Sequence, residues 1–149
     1  MRIMACISVF LCALSVVQTS HAYCFEEAAA RYGLPIETLK AVSKQESGMR
    51  ADIPPTWNTD GSYDIGIMRI NSNWYHWSPY VRDLWPQIED PCTNVMVGAW
   101  ILAGCLRQYG NTWEGIGCYN SRTPSKRDKY ARDIARIIYG PQSQQARQQ

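Results

Sequence analysis

Leu34-Pro35-Ile36-Glu37-Thr38-Leu39-Lys40-Ala41-Val42-Ser43-Lys44-Gln45-Glu46-Ser47-Gly48 reads as a helix with a marked start, a marked stop and a carboxylate at the end of its apolar face. Pro35 suits the first helical turn, where its missing N–H leaves no bond unmade. Gly48 suits the left-handed cap that ends a helix. Between them Ile36, Leu39, Val42 and Glu46 are spaced by three, three and four residues and share one face. That face should meet the core, which places the carboxyl group of Glu46 against apolar walls. A carboxyl so placed loses solvation when charged, so its pKa rises. A raised carboxyl pKa is what a general acid near neutral pH needs. The alternative reading is a last-turn glutamate that only borders the core.

Upstream of this helix, Phe25 to Tyr32 reads as a short helix stopped by Gly33. Downstream, Ala51 to Tyr63 carries Pro54-Pro55, Asn58, Asp60-Gly61 and Ser62, which is turn chemistry. Asp64-Ile65-Gly66-Ile67-Met68-Arg69-Ile70-Asn71 alternates apolar residues, as a short strand or extended loop does. Ser72 to Gln87 is crowded with Trp74, Tyr75, Trp77, Tyr80 and Trp85 and broken by Pro79 and Pro86. Asp90-Pro91 opens the longest apolar helix, running to Tyr109 with Gly110 as its stop. Val95, Met96, Ala99, Trp100, Leu102, Ala103 and Leu106 wrap most of its surface, so it is expected at the centre of the core. Asn111 and Glu114 have capping-box spacing for another short helix, closed by Cys118-Tyr119-Asn120-Ser121. Ser125 is placed to cap a last helix from Lys126 to Tyr139, with Ile134, Ile137 and Ile138 inward and Gly140-Pro141 as its stop. Residues 141–149 form a polar tail expected to be disordered. These signals describe one mostly α-helical domain over residues 23–140, with irregular aromatic-rich loops and little or no β structure.

Residues 1–22 have the form of a secretory signal. Arg2 supplies the positive start, Ile3 to Val17 the apolar run, and Ser20-His21-Ala22 small residues before a cleavage site. Of six cysteines, Cys6 and Cys12 lie in that segment, leaving Cys24, Cys92, Cys105 and Cys118. An even number in an exported chain favours disulfides, and three pairings are possible. The preferred one is Cys24–Cys92 with Cys105–Cys118: the first ties the N-terminus to the start of the central helix, the second clips that helix to the segment after its turn. A metal site is not expected, because there is no close Cys-x-x-Cys pair and His76 is the one histidine beyond the signal. With 15 basic and 13 acidic residues, the chain lacks the bias that nucleic-acid binding calls for. The basic cluster Lys126, Arg127, Lys129, Arg132 and Arg136 reads first as a solvated helix face, and second as a contact for an anionic wall polymer or membrane surface.

Several chemistries fall away. His76 stands alone, without a Gly-x-Ser-x-Gly elbow for a serine hydrolase. A thiol enzyme needs a free cysteine beside a histidine, which an exported four-cysteine chain argues against. No glycine-rich run supports phosphate binding, and no cofactor motif is present. Carboxylate chemistry remains. Glycoside cleavage usually uses two flanking carboxylates, and Asp52, Asp60 and Asp64 are the available second acids. The six tryptophans and nine tyrosines fit a sugar substrate, since such rings stack on flat faces and offer a polar edge, although most should be core or loop anchors.

Taken in order, Glu46-Ser47 at a helix end, Gly66-Ile67-Met68-Arg69-Ile70-Asn71, and Tyr119-Asn120 after the central helix resemble the soluble lytic transglycosylase family. Those enzymes cleave the glycan of bacterial peptidoglycan on a goose-lysozyme-like helical fold. Cys24-Phe25, Asp90-Pro91-Cys92, Val97-Gly98-Ala99-Trp100-Ile101-Leu102 and Tyr109-Gly110-Asn111-Thr112-Trp113-Glu114 resemble the small exported subgroup that accompanies type III and type IV secretion systems and pili. The match spans about Cys24 to Tyr139.

The resemblance implies that Glu46 is the catalytic acid, that Ser47 orients the site, and that Tyr119 holds the Glu46 carboxyl. It implies that Gly66, Ile67 and Met68 form a backbone-close cleft wall, and that Asn120 braces its turn and contacts glycan. Protonated Glu46 would give its proton to the oxygen of the MurNAc-GlcNAc bond. The sugar's own C6 hydroxyl would then attack C1, leaving a 1,6-anhydro-MurNAc end without consuming water. That internal nucleophile removes the need for a second carboxylate.

Two departures stand out: Arg69 where the family usually has Gln, and Arg122 where small residues are common. Arg69 turned into the cleft would lower the Glu46 pKa and oppose the acid role; turned outward, or onto a substrate carboxylate, it would not. The resemblance places the chain in the periplasm, acting on peptidoglycan strands for a secretion, conjugation or pilus apparatus, without a transmembrane span after the signal. The rival readings are a lysozyme using Asp52 or Asp64 to activate water, and a non-catalytic glycan-binding assembly subunit.

Overall fold

The structure, a computed structural model, describes residues 23–145, with side chains to residue 140. The signal at residues 1–22 and the end of the tail at 146–149 lie outside the described residues. In chain order the elements are α1 (Phe25–Tyr32), α2 (Ile36–Ser47), β1 (Thr56–Trp57), β2 (Tyr63–Ile65), β3 (Ile70–Asn71), α3 (Trp74–Trp77), α4 (Pro79–Leu84), a 3-10 turn (Trp85–Gln87), α5 (Pro91–Tyr109), α6 (Trp113–Cys118) and α7 (Pro124–Gln145). The mostly α expectation holds. The β content is a three-stranded antiparallel sheet of two- and three-residue strands, in the order β1-β2-β3.

The helix that opens the sequence argument forms as its ends dictate. Pro35 is the N-cap in extended backbone, and Gly48 closes the helix in the left-handed conformation, returning its N–H to Lys44 and Ser43 carbonyls. Leu39 and Val42 are fully buried, and Ile36 packs at the edge of the core. The central helix α5 starts at Asp90, whose carboxylate accepts the Thr93 N–H at 2.8 Å. It buries Val95, Val97, Ala99, Ile101, Leu102 and Ala103. Helices α1 and α6 pack on it, and α7 packs on both α6 and α2. Both preferred disulfides are present, Cys24–Cys92 joining α1's start to α5, and Cys105–Cys118 joining α5 to α6.

Four local expectations are corrected. Residues 64–71 are not one extended segment: β2 and β3 pair across a tight turn at Gly66–Arg69, closed by Arg69 N–H to the Gly66 carbonyl at 3.1 Å. Pro79 and Pro86 begin helical turns rather than break them, because a missing N–H costs nothing in a first turn. Helix α6 is capped by Thr112, whose hydroxyl accepts the Gly115 N–H at 3.1 Å, while Glu114 pairs with Arg127 at 2.8 Å instead of reaching back to Asn111. Helix α7 begins at Pro124 rather than Lys126, and runs through Gly140-Pro141 to Gln145, into the stretch expected to be disordered. An interior proline lacks a main-chain donor and disfavours a helix, yet α7 continues through this one.

Candidate active site

A cleft of about 1060 Å³ opens between the β hairpin and the α6–α7 segment. Glu46 lies on its floor. Asp60, Asp64 and Arg69 line it from the hairpin side, Trp74 and Trp77 from α3, and Tyr119, Asn120, Arg122 and Lys126 from the far wall. Asp52 is exposed and is not among the lining residues.

Glu46 reaches the floor because α2 spends its apolar stripe on the core and ends where the cleft begins. Its pKa is raised from 4.5 to about 7. Loss of solvation on burial is the largest cause; a hydrogen bond from Tyr130 opposes it, the negative charge of Asp64 adds to it, and Arg69 opposes it most weakly. Near neutral pH the group therefore exists in both forms. The Tyr130 hydroxyl donates to Glu46 Oε1 at 2.5 Å, and Tyr130 is itself 6% exposed. Burial beside Glu46 pushes the phenol of Tyr130 well above its ordinary range, so it remains a donor.

Tyr119 does not hold the Glu46 carboxyl. Its hydroxyl donates to the Met68 carbonyl at 2.8 Å, and its ring stacks on Tyr130 at 6.4 Å between centroids. Burial and then the charge of Glu46 push the Tyr119 phenol well above its ordinary value. Two tyrosines thus share the task assigned to one: Tyr130 grips the acid, and Tyr119 ties the hairpin turn to α6. Tyr130 was missed although it stands four residues before Ile134 on the inward stripe of α7, a spacing that could have found it.

Ser47 is buried, and both of its bonds stay at the end of its own helix. Its hydroxyl donates to the Ser43 carbonyl at 3.1 Å and accepts the Arg50 N–H at 3.2 Å. Ile67 and Met68 turn their side chains into the core, fully buried, and support the cleft from beneath. Gly66 is required there on two counts. Its φ is +76°, and an added Cβ would lie 2.2 Å from Asn94 Nδ2. Asn94, fully buried on α5, accepts the Met68 N–H at 2.8 Å and donates to the carbonyls of Ile65 at 3.1 Å and Ile88 at 3.0 Å. It clamps the turn to the central helix. Its signal in the sequence was an amide directly before the apolar run of α5. Asn120 faces the cleft from the loop after α6.

Arg69 sits at the rim with φ +51°, and its Nη1 donates to the Pro54 carbonyl at 3.2 Å. Its charge is felt by Glu46, yet burial and Asp64 outweigh it. Asp64 accepts from Asn58 at 3.2 Å and from Asn71 at 2.9 Å. Among the described residues the grouping with metal-ligand geometry is Cys24, Glu27 and Cys92, where both thiols are already joined as a disulfide.

The family model described as the transglycosylase SLT domain matches residues 23–138. The chain is 34% identical over 126 residues to the invasion protein IagB of Salmonella typhimurium (strain SL1344), covering 83% of this chain and 77% of that protein. It is 35% identical over 136 residues to protein IpgF of Shigella flexneri, covering 86% and 87%. It is 31% identical over 143 residues to the X polypeptide of Escherichia coli (strain K12), covering 89% and 83%.

Proposed function

Because this chain belongs to the transglycosylase SLT-domain family, we propose that it is a peptidoglycan lytic transglycosylase in which Glu46 acts first as acid and then as base. The observation that carries the reading is the environment of Glu46: half-buried at the cleft floor, with a pKa raised to about 7 and a phenol on one oxygen. One group serving both steps needs a pKa near the working pH. Protonated Glu46 gives its proton to the glycosidic oxygen. The bond to C1 breaks, and the C6 hydroxyl of the same sugar closes on C1 while the Glu46 carboxylate takes its proton. The Tyr130 hydrogen bond favours the charged form, and so steadies the carboxylate between the two steps. Trp77, 66% exposed at the cleft edge, and Trp74 beside it at 5.8 Å offer faces on which sugar rings stack.

The setting is the cell envelope, where the enzyme opens the wall locally for a secretion, conjugation or pilus apparatus. Two disulfides fit an oxidising compartment. Among the described residues no helix is long and apolar enough to cross a membrane. That a relative is named as an invasion protein supports such a role.

The experiment is mass spectrometry of muropeptides released from purified sacculi by residues 23–149, with Glu46→Gln beside it. Anhydro ends should appear with the wild-type protein and fall by at least roughly a hundredfold in the variant. Reducing ends would make the protein a lysozyme and turn attention to Asp64. No product from the folded wild-type protein would favour a glycan-binding subunit.

A further inference from the structure

The two walls of the cleft differ in net charge. Asp60, Asp64 and Arg69 stand on the hairpin wall, a net of −1, and Arg122 and Lys126 on the α6–α7 wall, a net of +2. Behind the second wall lies a separate recess of about 240 Å³, lined by Gln45, Glu46, Asn120, Lys126, Lys129, Tyr130 and Asp133. Glu46, Asn120 and Lys126 line both cavities, so the recess branches from the main groove beside the acid.

The structure divides the basic cluster that the sequence left whole. Arg127 is held by Glu114 at 2.8 Å and by Asp128 at 3.4 Å. Lys129 and Arg136 share Asp133 at 2.8 and 2.6 Å, which offsets the one acid in the recess apart from Glu46. Arg122 and Lys126 make no ion pair among the described residues, and both face the cleft. A glycan backbone is neutral and can only accept hydrogen bonds from these two cations, which leaves their charge unmatched. They match the acidic branch that a muramyl residue carries on its lactyl group.

Resting on the transglycosylase reading, we infer that the recess and the Arg122–Lys126 wall form a binding site for the carboxylates of the peptide stem, so that the cleft prefers peptide-bearing glycan and seats it with its stems toward α7. Lys126, at the junction, meets the stem nearest the cleavage point. Arg122, further out on the loop, meets its free carboxylates. The acidic hairpin wall disfavours the reversed orientation.

The test uses soluble glycan strands in three forms: with free-acid stems, with the stem carboxylates amidated, and with the stems removed enzymatically. The wild-type protein should show a higher kcat/KM on free-acid strands than on either other form. Lys126→Met and Arg122→Met should each reduce that preference by roughly two- to fivefold, through KM. Arg132→Met, which removes the same charge from α7 away from both cavities, should leave the preference in place. Equal turnover of free-acid and amidated strands, or a preference unmoved by Lys126→Met and Arg122→Met, would overturn the inference while the lytic activity stands. No cleavage of any strand would count against the transglycosylase reading instead. Calorimetric binding of free-acid and amidated strands would then decide: tighter binding of the former supports the site, and equal binding overturns it.

Discussion

Glu46 and Asp60 line the same cleft, and the fold moves their carboxyl groups in opposite directions. On the floor, burial pushes Glu46 up to about 7 against the pull of its tyrosine partner. On the rim, Asp60 is fully exposed, and the Ser62 hydroxyl and N–H hold it below its ordinary value. The floor is built from buried and half-buried groups with fixed partners: Tyr130 on Glu46, Tyr119 on Met68, and Asn94 on Met68, Ile65 and Ile88. The rim is a hydrogen-bonded set of exposed or half-buried side chains, Asn58, Asp60, Asp64 and Asn71, gathered around the buried Ser62. A charge is held on the rim and made reactive on the floor, and the physical difference is access to solvent.

A pair of glycines tests this division most severely. Gly66 on the floor and Gly61 on the rim both have positive φ, +76° and +82°, but an added Cβ meets Asn94 at the first and nothing within 4 Å at the second. Gly66→Ala should cost roughly 2–5 kcal/mol from strain plus overpacking, and Gly61→Ala only about 1–2 kcal/mol from strain alone, in denaturant melts. Equal costs would break the comparison.

Next comes the stability that the floor gives up to keep its acid. Folded Glu46 binds its proton more tightly than the unfolded chain does, so its contribution is full below pH 4.5 and is lost as pH rises through about 7. Glu46→Gln has no such loss. Its advantage over the wild-type protein should grow from near zero at acid pH to as much as about 3 kcal/mol at pH 8. A pH-independent difference would remove burial as the cause.

Tyr130→Phe sharpens the account of the floor. Without the hydrogen bond that favours the carboxylate, the Glu46 pKa should rise further, moving the alkaline limb of kcat/KM to higher pH. Neutral-pH turnover should fall roughly ten- to a hundredfold, since bonds to charged groups contribute about 1.5–3 kcal/mol. A fall with no movement of the limb would leave Tyr130 a packing residue. The smallest effect is expected at the rim: Asp64→Asn removes a charge that raises the Glu46 pKa, so the limb should move down and activity stay within about fivefold. A hundredfold loss, with reducing ends in place of anhydro ends, would make Asp64 a second catalytic carboxylate.

The parts of this site that were legible in the sequence are those set by neighbours along the chain. Proline before Ile36, glycine after Ser47 and the three-three-four spacing fix the α2 helix, and put Glu46 on its buried face. The same local rules framed α5 between Asp90 and Gly110 and marked the order of motifs that carries the family resemblance. They failed where two signals competed within a few residues: Thr112 took the cap from Asn111, and α7 ran past Gly140-Pro141. What only the tertiary structure decided is which distant side chain meets which. Tyr130 reaches Glu46 across 84 positions, and Tyr119 reaches Met68 across 51, because α7 packs on α2 and α6 at angles that periodicity does not specify. Periodicity assigns a residue to a face. Its partner on that face depends on how whole helices seat against one another, and here that seating gave the acid Tyr130 rather than Tyr119 and left Arg122 and Lys126 facing the cleft.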